Sequence, residues 1–195
     1  MEGIMLTKIF FVRHAEPVHS FKDDRTRPLS PEGAADIRAV AEKLKDKAID
    51  VFYCSPYKRS LDTISGAAAF YGAAIRTDER LREREVGEGH NDKYIIKRRW
   101  SDFDFHEQGG ESLNSLQRRN VEALKDILND NPGKNIVIGT HGSALSSILN
   151  YFDPDFGYED FMRIVGWMPF IIELDFDGTK FVKAHEIFHR EKNYL

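Results

Sequence analysis

Two short apolar runs end in the same way, and they limit the fold more than any other feature of the chain. Ile9-Phe10-Phe11-Val12 runs into Arg13-His14, and Ile136-Val137-Ile138-Gly139 runs into Thr140-His141-Gly142. Such runs, rich in β-branched and aromatic residues and bounded by polar breaks, read as buried strands. In open α/β sheets, ligands bind just beyond the carboxyl ends of the strands. Two histidines and an arginine at two such ends would converge on one pocket. An arginine beside imidazoles suits a phosphate, and an imidazole can act as a nucleophile.

The rest of the chain alternates strand and helix patterns, which predicts an α/β fold: a mainly parallel sheet covered by helices on both faces. The first strand spans about residues 5–12. Ser30-Pro31 reads as an N-cap with proline at the first helical position. The helix that follows runs to about residue 46, with Ile37, Val40, Ala41 and Leu44 on one face. Strands are expected at 50–54 and 74–77, separated by a helix that opens at Ser55-Pro56. Leu113, Leu116, Val121, Leu124 and Leu128 mark an amphipathic helix over about 111–130. A fourth strand at 135–139 leads into a helix at 143–151. Residues 168–176 and 180–187 read as a hairpin around Asp177-Gly178. Residues 78–111 and 153–166 are read as irregular. The first of these is highly charged, and its portion from about 87 to 110 is expected to be an insertion that acts as a lid.

A chain of 195 residues most simply makes one domain, and no linker or repeat divides it. No apolar run reaches the roughly 18 residues of a membrane helix. The first eight residues are too short for a secretory signal. The only cysteine is Cys54, so no intrachain disulfide can form, which fits the reducing cytoplasm. A net charge of −4 argues against general nucleic-acid binding, so any anion site must be a local basic pocket.

Several residues compete for the chemistry. His14 is the leading nucleophile, with Arg13 able to fork onto phosphate oxygens; the plain alternative is a surface Arg-His pair at a strand end. Gly142 would let a helix begin close to an anion. Arg59, early in the second helix, can reach back over the same sheet edge, while Lys58 faces solvent. Glu83 can donate a proton to a leaving alcohol, with Glu85 its competitor. Lys93, Lys97, Arg98 and Arg99, followed by Trp100 and Phe103, would clamp a substrate or form a solvated basic face. His19, His90, His106, His185 and His189 have no metal-site spacing and read as surface or packing residues. No glycine-rich nucleotide loop is present in the sequence.

Taken in order, these pieces resemble the histidine phosphatase superfamily, the fold shared with cofactor-dependent phosphoglycerate mutases, over nearly the whole chain. Phe11-Val12-Arg13-His14-Ala15-Glu16 resembles its Arg-His-Gly signature, with Ala15 in place of glycine. Arg27-Pro28-Leu29-Ser30-Pro31-Glu32-Gly33 is similar to the segment opening the first helix. Ser55-Pro56…Arg59…Thr63, Leu81-Arg82-Glu83 with Gly87, Gly109-Gly110-Glu111-Ser112 and Thr140-His141-Gly142 complete the set. The resemblance implies a three-layer α/β/α sandwich in which His14 becomes phosphorylated. It implies that Arg13, Arg59 and His141 surround the phosphoryl group and that Glu83 is the acid. Ser20 stands where the family often has asparagine and would touch a phosphate oxygen. No metal or cofactor is expected.

The expected activity is hydrolysis of a small phosphorylated metabolite through phosphohistidine, favoured by the chain's modest length. The alternatives are a mutase, a phosphoprotein phosphatase, and a module that binds a phosphate ligand without turnover. Neither a nucleic-acid nor a membrane partner is expected. The substrate and the oligomeric state are open.

Overall fold

The computed structural model describes residues 5–89 and 92–192. Alternation along the central strands explains the layering. In β1 (Thr7–Arg13), Ile9 and Phe11 join one core, while Phe10 and Val12 join another on the opposite face. β4 (Asn135–Thr140) repeats this, with Ile136 and Ile138 on the first face and Val137 on the second. A sheet apolar on both faces must be covered on both. α4 (Leu113–Asp130) and α5 (Gly142–Phe152) cover the first with Leu124, Ile127, Leu145 and Ile148. α1 (Pro31–Leu44) and α2 (Lys58–Phe70) cover the second with Val40, Leu44, Ile64 and Ala67. The expected three-layer α/β/α sandwich is the observed fold.

The sheet order is β3 (Ile75–Thr77), β2 (Val51–Cys54), β4, β1, β5 (Trp167–Asp177), β6 (Lys180–Glu191). Pairing is parallel among β3, β2, β4 and β1, and antiparallel from β1 to β5 and from β5 to β6. β1 and β4 are neighbours, with Arg13 opposite Thr140. The His14 N–H donates to the Thr140 carbonyl at 3.1 Å. The two strand ends singled out in the sequence therefore lie side by side.

Helix starts follow local chemistry. Ser30 Oγ accepts from Gly33 N at 3.0 Å, with Pro31 opening α1. Ser112 Oγ accepts from Ser115 N at 3.2 Å and caps α4. α2 begins at Lys58 with Tyr57 at its N-cap, so Ser55-Pro56 precede the helix rather than open it.

Two further helices lie where the sequence reads as irregular: α3 (Lys93–Ser101) and α6 (Tyr158–Ile164). They pack on each other through Ile96, Phe161 and Val165, with Trp100 and Phe156 beside them, in a small core separate from the main ones. The excursion that carries α3 has a narrow neck. Glu88 N donates to Gln108 O at 2.9 Å and Glu111 N to Glu85 O at 3.0 Å. A Cβ on Gly87 would lie 2.8 Å from Gly110 N, so only glycine allows the two ends to meet. Among the described residues no helix is long and apolar enough to cross a membrane.

Candidate active site

His14 lies just past β1, only 6% exposed. Its Nδ1 is 2.7 Å from the Ala15 carbonyl oxygen. A carbonyl only accepts, so Nδ1 carries the proton and Nε2 presents a lone pair. The loop is held from α2: Ala15 N donates to Thr63 Oγ1 at 2.9 Å, and Thr63 Oγ1 donates to Arg59 O at 2.7 Å. Burial first, then the charges of Arg59 and Arg13, hold the His14 imidazole well below the ordinary 6.5. The ring is therefore neutral near pH 7, as a nucleophile must be.

Two guanidiniums and a second imidazole surround that ring. Arg13, 3% exposed, donates to the Ile164 carbonyl at 2.8 Å. Arg59, equally buried, donates to the Asp24 carbonyl at 2.5 Å and pairs with its carboxylate at 3.2 Å. Its Nε is buried and has no hydrogen-bond partner among the described residues. His141 is fully buried, with its ring 5.2 Å from that of His14 and Nε2 2.7 Å from Ser55 Oγ. Its Nδ1 likewise lacks a partner among the described residues. Burial, then Arg59, His14 and Arg13, push His141 well below its ordinary value. Unpartnered polar atoms this deeply buried cost about 1–3 kcal/mol each. An anion accepting from them would recover that cost.

Glu83 stands opposite. Its Oε2 accepts from Ser143 N at 2.9 Å, and Oε1 accepts from Ala144 N at 3.1 Å and Arg84 N at 2.7 Å. The carboxylate thus sits on the first turn of α5, the positive end of the helix dipole. Arg119 of α4 holds the backbone beneath it, donating to the carbonyls of Arg80, Arg82 and Glu83 at 2.6–3.0 Å. Glu85, the competing acid, has a side chain 66% exposed and does not line the cavity.

These groups border a cavity of about 150 Å³, whose wall includes Arg13, His14, Arg59, Glu83 and Gly142. His141 is not among the residues of that wall and adjoins it through the His14 ring. Gly142 opens α5 at the cavity wall and has a second use: a Cβ there would lie 3.1 Å from the Arg13 guanidinium, so the glycine makes room for the arginine.

Several expectations are corrected. Ser20 is exposed and does not line the cavity; His19, read as surface or packing, does. Both residues are exposed, and only His19 reaches the wall. Of the basic cluster only Arg99 reaches the wall, because the helical turn of α3 sends the others outward. Arg98 stacks on Phe105 at 3.8 Å and Lys97 lies over Tyr158 at 5.8 Å. Trp100 and Phe103 pack on each other, 5.5 Å between centroids, and Trp100 also meets Phe161, so they are core rather than clamp. His189 stacks on Trp167 at 3.8 Å, a packing role as read. His90 lies outside the described residues. Asp24, Arg27 and Arg84 line the wall and were missed. The Lys22–Arg27 charge run and the position of Arg84 next to Glu83 were the available signals.

Similarity to known proteins follows the same outline. The chain is 31% identical over 172 residues to phosphoglycerate mutase-like protein 4 of Arabidopsis thaliana, covering 78% of this chain and 74% of that protein. It is 26% identical over 163 residues to putative phosphoserine phosphatase 2 of Hydrogenobacter thermophilus, covering 74% and 77%. In structure it is similar to a mycobacterial glucosyl-3-phosphoglycerate phosphatase, with a TM-score of 0.75 at 16% identity over 93% of this chain and 97% of that one. The model of the histidine phosphatase superfamily (branch 1) matches residues 9–185, and the chain belongs to that family.

Proposed function

We propose that the protein is a metal-independent phosphatase that hydrolyses a small phosphorylated metabolite through a phosphohistidine on His14. The observation that carries this is the His14 ring: neutral, with its proton fixed on Nδ1 by Ala15 and its Nε2 lone pair in a pocket walled by Arg13 and Arg59. Nε2 attacks phosphorus, the P–N bond forms, and the P–O bond to the alcohol breaks. Glu83 gives its proton to the leaving oxygen. A water then attacks phosphorus and loses its proton to Glu83, and the P–N electron pair returns to the imidazole. Arg13, Arg59 and His141 neutralise charge on the transferring oxygens, the part a metal plays in other phosphoryl transfers.

Both phosphatases and mutases occur among the relatives. A mutase must shield its phosphohistidine from water. Here Val86, on the cavity rim, is 57% exposed and His19 is also exposed, which favours water as the acceptor.

The test is phosphate release from a panel of phosphorylated metabolites without added metal, by the wild type and His14→Ala in parallel. Release by the wild type alone is expected, inhibited by vanadate and unaffected by a chelator. Chelator-sensitive release, or release by His14→Ala, overturns the mechanism.

A further inference from the structure

A second cavity, of about 160 Å³, borders α6 and shares no residue with the active-site wall. Phe161 of α6 and Val165 just past its end line the first cavity, whereas Arg163 and Ile164 line the second. β5 supplies the floor with Phe170, Ile172 and Leu174, alternate residues on one face of the strand and all buried. Phe152, Phe156 and Phe181 complete the apolar lining. Phe152 stacks on Phe181 at 5.3 Å and meets Phe176 edge-on at 5.3 Å, so these rings hold one another in place beside the open space. Cavities of about 150 Å³ lined by Leu, Ile and Phe stay dry and take up a molecule the size of benzene.

The charged residues of this cavity are Asp153, Arg163 and Glu186, all exposed. Arg163 is committed: its Nη2 pairs with Glu186 Oε1 at 2.9 Å and its guanidinium lies over the Trp167 ring at 4.9 Å. Asp153 accepts from Asp155 N at 3.2 Å and has no ion pair among the described residues. It is also the C-cap of α5, whose last turn holds no basic residue. The negative end of a helix dipole favours a cation. Two carboxylates, one guanidinium and a helix carboxyl end therefore make the mouth acidic over an apolar interior.

We propose that this cavity is a separate ligand site for a small amphipathic amine, and that its occupancy is felt at Arg13. One ring or a short alkyl chain lies among the phenylalanines, and the ammonium sets against Asp153 and Glu186. Ile164 is the link: it lines the apolar cavity, and its carbonyl accepts from Arg13 at 2.8 Å. α6 has seven residues and is held through a small core of its own, so it is an element that a ligand can steady. A molecule filling the space beside Ile164 fixes the carbonyl on which Arg13 rests, and so sharpens the oxyanion seat. The link rests on the phosphatase reading, because it takes Arg13 to hold the phosphoryl group; the amine site itself does not.

The experiment titrates the protein calorimetrically with 2-phenylethylamine, its neutral isostere 2-phenylethanol and the anion phenylacetate, and measures vanadate affinity with and without the amine. The amine should bind about threefold to fivefold tighter than the alcohol, which is what a half-exposed ion pair supplies, and phenylacetate should bind weakest. Vanadate should bind about fivefold tighter with the amine present, and the amine tighter by the same factor with vanadate present. Ala184→Phe fills the cavity from the edge strand β6, outside the active-site wall, and should abolish both amine binding and its effect on vanadate. Asp153→Asn, which keeps the acceptor for Asp155 N, should bring the amine-to-alcohol ratio close to one. No saturable binding of any of the three compounds overturns the site. So does amine binding that is unchanged in Ala184→Phe, or a ratio unchanged in Asp153→Asn. Amine binding that leaves vanadate affinity unaltered overturns the link to Arg13. Failure of vanadate to bind at all overturns the phosphatase reading and the link with it, and leaves the amine site standing.

Discussion

At the scale of single residues, the site depends on which atom of each group is already committed. Ala15 takes the His14 proton-bearing nitrogen, Ser55 takes Nε2 of His141, and backbone N–H groups take both oxygens of Glu83. What remains unpartnered, His141 Nδ1 and Arg59 Nε, is what an anion can use. The proposed acid role makes Glu83→Gln selective: hydrolysis of an alkyl phosphate should fall by about 10²–10⁴. An activated aryl phosphate, whose oxygen leaves without a proton, should lose much less. Equal losses in kcat/KM for the two would contradict that role. Arg13, His14, Arg59, Glu83 and His141 were legible because each stands in an ordered motif. Asp24, Arg27 and Arg84 were not, because their convergence comes from loop paths that no local spacing encodes. Ser20 failed for the same reason: position along a loop does not decide which side chain turns inward.

Among the elements, the first turn of α5 joins fold to chemistry. It presents N–H groups to Glu83 and, through Gly142, leaves room for Arg13. Gly142→Ala separates those uses. Alanine is the better helix former, so stability should hold or rise by up to about 1 kcal/mol. The added Cβ would press on a guanidinium pinned to the Ile164 carbonyl, so kcat/KM should fall by about tenfold. Unchanged activity would show that the Arg13 position is not critical. β1, β4 and α4 were readable because their apolar periodicity is strong. α3 and α6 were not: each buries only two side chains, Ile96 with Arg99 and Phe161 with Ile164, and is held by contact with the other. Such helices exist through tertiary packing rather than through their own sequence signal.

For the whole molecule, the alternation of strand and helix patterns was enough to read a mainly parallel sheet covered on both faces, and the resemblance implied the three-layer sandwich. The consequence of burying two neutral imidazoles beside arginines could not be read, because it depends on the assembled field. Both histidines titrate lower in the folded state than in the unfolded chain, so the unfolded state binds more protons as pH falls through 6.5. Stability should therefore decline as pH drops from 7 to 5. Urea midpoints should show this, with a shallower decline in His14→Ala; a flat wild-type profile would contradict neutral buried rings. The most direct measurement is to quench the enzyme during turnover and map the phosphoryl group by mass spectrometry under conditions that preserve phosphohistidine. The account predicts an acid-labile adduct on His14, absent in His14→Ala. An adduct on another residue, or turnover by His14→Ala, would contradict it.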